Sequence, residues 1–284
     1  ALIRKLKAVE TLGSVTVIAS DKTGTLTKNE MTVTELFVND SIIQVTGKGY
    51  ETTGKFLCNG KQVNPDSFKT LLEIGSSCND AQLPKLGDPT ELALLVSAAK
   101  AKISPKKRIA EAPFDPVEKY MTTTHVINNG KIVYIKGATE KLLSISDSIL
   151  INNSIKKIAK EDKEKILEQN KQMASRALRV LAMAYKKDGK TVFVGLQGMI
   201  DPPRKEVGNA IDLCKKAGIK VYMITGDHIN TAIAIASQLN IQTSAIEGKE
   251  LDNMSDADLQ KLVKEKFVFA RASPEHKSKI LNAL

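Results

Sequence analysis

Tryptophan is absent from this 284-residue chain, and the other aromatic rings are seven Phe and five Tyr. So few flat rings argue against a surface that stacks successive bases of a nucleic acid. No run of 18 or more apolar residues occurs, so no segment reads as a helix crossing a bilayer. The opening Ala-Leu-Ile-Arg-Lys-Leu-Lys has no apolar core of the signal-peptide kind, and a start at Ala1 instead of Met is what a piece of a longer protein would show. Cysteine is scarce. Cys58, Cys78 and Cys214 are scattered and odd in number, which excludes a disulfide framework and a C-x-x-C metal site and fits a reducing compartment. Nor do His125, His228 and His276 have metal-ligand spacing, and His125 reads as strand packing. Acidic residues are the minority, 32 against 42 basic ones, leaving +10. That excess suits nucleic acid, a small anion such as a nucleotide, or plain solubility. No basic tract is longer than Lys106-Lys107-Arg108, so charge alone does not decide.

What is present falls into two textures. Val15 to Ser20 is a short β-branched run without alternation, as expected of a strand buried on both faces, and it ends at Asp21. Beyond Asp201 the same logic repeats: a helix at about 205–217 stopped by Gly218, a strand from Ile219 to Ile224, a helix from Asn230 to Leu239, a strand from Phe267 to Ala270, then loop and helix. Strand-helix alternation predicts an α/β, Rossmann-like parallel sheet. The middle, 32–199, differs. Thr32 to Val38 and Ile42 to Thr46 read as strands, and hairpins are predicted at Asn129-Gly130 and Asp188-Gly189. Helices are predicted near 66–77, 89–101 and 155–175, the last a charged, solvated face. This is an antiparallel α+β unit inserted into the parallel one.

In an open parallel sheet, ligands bind beyond the carboxyl ends of the strands. Asp21 and Thr225-Gly226-Asp227 both follow such ends, so one crevice should hold them although about 200 positions separate them. Asp21 offers a nucleophilic carboxylate, and the N–H groups of Thr23, Gly24 and Thr25 can cradle an anion. Taken alone, an Asp-x-Thr-Gly is more often a loop turn than a phosphate pocket.

The longer strings are more specific. D-K-T-G-T-L-T at 21–27 is identical to the phosphorylation motif of P-type ATPases, and Lys136-Gly137-Ala138, Asp201-Pro202-Pro203-Arg204, Thr225-Gly226-Asp227 and Phe269 to Lys277 resemble four further motifs of that family in the same order. The resemblance covers essentially the whole chain. It implies a haloacid-dehalogenase-type phosphorylation domain in two parts, 1–31 and 200–284, the second incomplete at its C-terminus, around a nucleotide-binding domain at 32–199. It implies that Asp21 attacks the γ-phosphate of ATP, that Lys277 neutralises the transferring oxygens, and that Thr23 and Thr225 hydrogen-bond them. Mg²⁺ would be held by an Asp21 oxygen and the Thr23 carbonyl. Arg204, Gly226 and Asp227 would help hold the nucleotide. In the inserted domain Phe114 would stack on adenine, with Glu91, Lys119, Lys136 and Arg179 around it. Each has a plainer alternative: core packing for Phe114, a helix-start acid for Glu91, a strand-end lysine for Lys136, a surface ion pair for Arg179. The strings G-D-P-T-E at 87–91 and A-P-F-D-P-V-E-K at 112–119 look most like calcium-type pumps, although basic residues and serine are usual near Lys119 and here Pro116, Val117 and Glu118 intervene.

Related phosphatases place a second Asp two residues after the nucleophile as acid/base. Thr23 stands there and cannot deprotonate water at neutral pH, so an aspartyl phosphate should persist. The family's membrane helices, T-G-E-S loop and G-D-G-x-N-D motif do not occur. The expectation is therefore the cytoplasmic catalytic part of a membrane pump. Its partners would be ATP, the transported cation, and the actuator and transmembrane domains, not nucleic acid. The 284 residues alone should bind nucleotide but phosphorylate poorly, and hinges are expected near 29–33 and at Gly198 and Pro202-Pro203. A soluble phosphatase or phosphotransferase with a cap domain is the alternative. A basic binding module ranks third.

Overall fold

The computed structural model describes residues 13–47, 49–128 and 130–284. They form two compact units, one of residues up to Asn29 with Pro203–Leu284, the other Glu30–Pro202. The first strand, β1 (Val17–Asp21), pairs on one side only among the described residues, with the strand at 220–224. It is not buried throughout: Ile18 is exposed, Ser20 is buried, and Val17, Ala19 and Asp21 are half-buried. After Asp21 the chain coils through Lys22–Leu26 in a wide turn closed by the Thr27 N–H on the Lys22 carbonyl at 3.0 Å.

The second unit is built on an antiparallel sheet. β2 (Thr32–Val38), β3 (Ser41–Val45), β4 (Phe56–Cys58) and β5 (Lys61–Gln62) make one side. Helices α1 (Lys69–Ser77) and α2 (Pro89–Lys100) follow, and Asp88 caps α2 through the Thr90 N–H, with Pro89 in the first turn. Then come β6 (Arg108–Asp115), β7 (Tyr120–Ile127), β8 (Gly130–Gly137), α3 (Thr139–Ile145), β9 (Ser148–Ile151), β10 (Ser154–Lys157), α4 (Lys160–Ser175), β11 (Arg179–Lys187) and β12 (Lys190–Ile200). The strand order is β5-β4-β3-β2-β12-β11-β8-β7-β6. Helices cover both faces. Leu36, Met183, Tyr185, Val192 and Val194 pack with Leu71, Ile74 and Leu94 of α1 and α2. Their sequence neighbours Phe37, Ala182, Ala184 and Phe193 pack with Leu142, Ile166 and Met173 of α3 and α4. That two-sided burial is why β12 reads as a nearly unbroken apolar run. Burying one such side chain contributes about 1.5–3 kcal/mol.

Three expectations shift here. Residues 155–157 are not helical. They form β10, because Asn152 and Asn153 both adopt left-handed φ (48° and 62°) and turn a two-residue hairpin. Helix α4 starts only at Lys160, where the Asp162 carboxylate takes the Ala159 N–H. In the β7–β8 hairpin Ile127 pairs with Gly130, so Gly130 belongs to β8 and not to the turn; Asn129 lies outside the described residues. Asp188-Gly189 turns as predicted, at φ 50° and 79°. Gly198 is no hinge: it is held between Val180 and Glu35, and a Cβ there would lie 2.4 Å from Met173 Cε.

The first unit resumes with α5 (Lys205–Lys216), β13 (Lys220–Ile224), α6 (Ile229–Gln238), β14 (Ala245–Glu247), α7 (Asp256–Leu262), β15 (Val268–Ala270) and α8 (Pro274–Ala283). Its sheet runs β1-β13-β15-β14, all parallel. Tyr222, Ile224, Phe269, Leu259 and Ile280 form its core. Register pairs Asp21 with Ile224 and Ile224 with Phe269, so the segments after three strands emerge side by side.

Candidate functional site

Those three segments build the first group. Lys277, in the first turn of α8, ion-pairs with Asp21 Oδ2, while Asp21 Oδ1 accepts the Thr23 N–H at 3.3 Å. Thr225 follows β13 and is buried, its N–H on the Phe269 carbonyl and its hydroxyl accepting the Asp227 N–H at 3.1 Å. That hydroxyl keeps one proton to donate. The Arg271 and Ala272 N–H groups bond the Asp227 and Thr225 carbonyls, locking the β13 and β15 loops together. Thr23, Gly24 and Thr25 are exposed, and Gly24 takes φ 75°, a conformation glycine adopts without steric cost. The arrangement presents a carboxylate beside a cation at the start of an exposed loop.

Two residues expected to grip nucleotide have other partners. Asp227 pairs with the buried Lys22, and Arg204 donates to the carbonyls of Gly24 (3.0 Å) and Thr27 (3.1 Å). Both brace the loop that carries Asp21. Gly226 is exposed, and a Cβ there would meet nothing within 4 Å. Lys22 went unnoticed as a site residue, although its place next to Asp21 was the available signal.

The second group lies wholly within Glu30–Pro202. A pocket of about 380 Å³ is lined by Asp88, Thr90, Glu91, Phe114, Met121, Lys136, Gly137, Arg179 and Leu181. Four predicted residues therefore meet: Glu91, Phe114, Lys136 and Arg179. Lys136 donates to Glu91 Oε1 at 2.8 Å, with the two side chains only 6% and 16% exposed. The other Glu91 oxygen takes the Asp80 N–H at 3.1 Å, and Arg179 donates to Thr90 Oγ1 at 2.8 Å. Phe114, on edge strand β6, is 59% exposed, so it forms a wall and not core. Gly137 is required: a Cβ would lie 2.4 Å from the Lys119 carbonyl. Lys119 itself is exposed at a turn of φ 59° and does not line the pocket. That turn is tied by Asp115, whose carboxyl is held below its usual range by the Glu118 and Val117 N–H groups. Met121 and Leu181 were missed because an apolar lining residue carries no sequence signal; Asp88 was missed although it lies in the G-D-P-T-E string at 87–91. Nearby, burial pushes the Cys78 thiol up to about 11, which leaves it protonated and unreactive.

The family model for the P-type ATPase cytoplasmic domain N matches residues 56–206. Calcium-transporting ATPase 1 of Bacillus cereus is 44% identical over all of this chain and 33% of its own length. Cation-transporting ATPase pma1 of Synechocystis is 41% identical, again over the whole chain and 35% of its own length. The human calcium-transporting ATPase type 2C member 1 is 38% identical, over the whole chain and 33% of its own length. The chain thus spans about a third of the length of these relatives. No helix among the described residues is long and apolar enough to cross a membrane. With the D-K-T-G-T-L-T string ending its first strand and a family match over more than half its length, the chain belongs to the P-type ATPases.

Proposed function

We propose that this chain is the ATP-binding and phosphoryl-accepting part of an ATP-driven cation pump, with calcium the ion that the names of its relatives favour. The observation that carries the reading is Asp21, at the carboxyl end of β1, with the Lys277 ammonium on its carboxylate. ATP would bind by its base against Phe114 in the 380 Å³ pocket, near the Lys136–Glu91 pair and Arg179. An Asp21 oxygen would attack the γ-phosphorus. The bond from that phosphorus to the bridging oxygen would break, and ADP would leave with the electron pair. Lys277 and Thr225 would stabilise the charge on the transferring oxygens. Thr23 would leave the aspartyl phosphate without an adjacent general base, so it would persist. Arg204 and the Lys22–Asp227 pair would act by holding the loop, and Gly226 would leave it open.

The described residues contain no cluster of three or more His, Cys, Asp or Glu that could hold a metal by itself. Mg²⁺ takes one or two protein carboxylates and fills its shell with water and phosphate oxygens. Asp21 and the Thr23 carbonyl would hold it, and it would supply charge neutralisation at the phosphate. The chain would sit on the cytoplasmic face, its transmembrane and actuator partners belonging to the rest of such a pump.

The test is acid-stable labelling from ATP in the intact protein as the cell makes it. Asp21→Asn should reduce label by at least about a thousandfold while nucleotide binding stays. Thr23→Asp should shorten the label's lifetime. Label that survives Asp21→Asn would sink the reading.

A further inference from the structure

Lys277 reaches Asp21 from the first turn of α8, so whatever fixes that turn fixes the lysine. The turn is capped in both directions. Ser273 Oγ accepts the His276 N–H at 3.2 Å, and His276 Nδ1 accepts the Ser273 N–H at 3.1 Å. Reciprocal caps usually carry Glu or Gln at the third helical position. Here an imidazole nitrogen takes that part. Because Nδ1 accepts, the proton of the neutral ring is on Nε2, which donates to Asp252 Oδ1 at 2.7 Å. The ring is only 12% exposed, and Gly248 makes its room: a Cβ there would lie 2.4 Å from Nδ1.

We propose that His276 is a positioning residue for Lys277: neutral, it closes the cap and holds the lysine toward Asp21; protonated, it opens the cap and frees the lysine. A proton on Nδ1 removes the lone pair that the Ser273 N–H needs and sets two donors against each other. Asp252 touches the ring on its Nε2 side; Gly248 packs against its Nδ1 side between Glu247 and Lys249, and Glu275 and Lys277 flank the ring on its own helix. An imidazolium at a helix N-terminus also opposes the helix dipole. The cap stands on geometry alone. Its catalytic consequence rests on the reading of Asp21 as phosphoryl acceptor.

The experiment compares intact wild type, His276→Gln, whose amide oxygen can accept the Ser273 N–H without titrating, and His276→Ala. Label formation is measured at saturating ATP from about pH 7.5 to about pH 5.5. At the upper end, loss of the cap in His276→Ala should slow labelling about fivefold to tenfold at unchanged half-saturating ATP, and His276→Gln should restore most of it. On acidification the wild-type rate should fall relative to His276→Gln. Amide exchange at Ser273 and Lys277 reads the cap without any label: faster in His276→Ala, and in wild type faster at low pH than in His276→Gln. Equal Ser273 exchange in wild type and His276→Ala, or labelling in His276→Gln as slow as in His276→Ala, overturns the proposal. Asp21→Asn tests the acceptor reading separately, and the exchange measurement decides the cap even if wild type gives no label.

Discussion

At the end of β1, Asp21 and Lys277 form an ion pair whose side chains stay 41% and 36% exposed, whereas Lys136 and Glu91 in the pocket form a similar pair almost closed to water. The exposed pair contributes little to folding, since water screens it and competes for it. Its groups stay accessible to an incoming phosphate. The enclosed pair is different: each partner compensates the other's desolvation, so the two charges are bound to each other structurally before any ligand arrives. On the function proposed above, the contrast separates groups that would react from groups that shape a cavity.

The sharpest break of that contrast is Lys277→Ala. It should slow label formation by about 10²–10³, as expected for loss of a charge stabiliser, and hardly move the urea unfolding midpoint. Lys136→Met should act mainly on stability. It leaves Glu91 buried without its cation, and unfolding of the Glu30–Pro202 unit should become easier by about 3–5 kcal/mol, with much of the loss regained in a Lys136→Met, Glu91→Leu double variant. A smaller effect is expected from Phe114→Ala, which should weaken nucleotide binding by about 1–3 kcal/mol in a titration, as for one lost stacking face. Because Phe114 is a largely exposed wall, stability should shift by no more than about 0.5 kcal/mol. Failure of that split would mean that the ring packs and does not bind.

The smallest effect concerns His125. Burial pulls this ring below the usual histidine range, and its Nδ1–H donates to the Lys107 carbonyl. The folded chain therefore keeps it neutral, while the unfolded chain takes up a proton near about pH 6.5. Stability from this site should be full above that pH and decline as pH falls through it. Urea midpoints at about pH 7.5 and about pH 5.5 should differ more in wild type than in His125→Gln.

Much of this was readable from local signals. Asp21 follows a β-branched run, Asp88-Pro89 opens a helix, and Asp188-Gly189 turns a hairpin, because capping and turn chemistry act over two or three residues. The misreadings have different causes. Asn152-Asn153 was hidden beside a charged helix, β1 looked buried because its neighbours could not be counted, and Gly198 looked mobile because Met173 and Leu178 are distant in sequence.

The sequence by itself determined many of the secondary elements, the two textures and the motif that carries Asp21, since propensity, periodicity and motif are local. Only the tertiary structure decided what each charge touches: Arg204 and Asp227 bracing the loop of Asp21, Glu91 held by Lys136, and a histidine capping the helix of Lys277. Such partners are chosen by which strands lie side by side and which side chains are cut off from water, and neither quantity exists until the chain has packed.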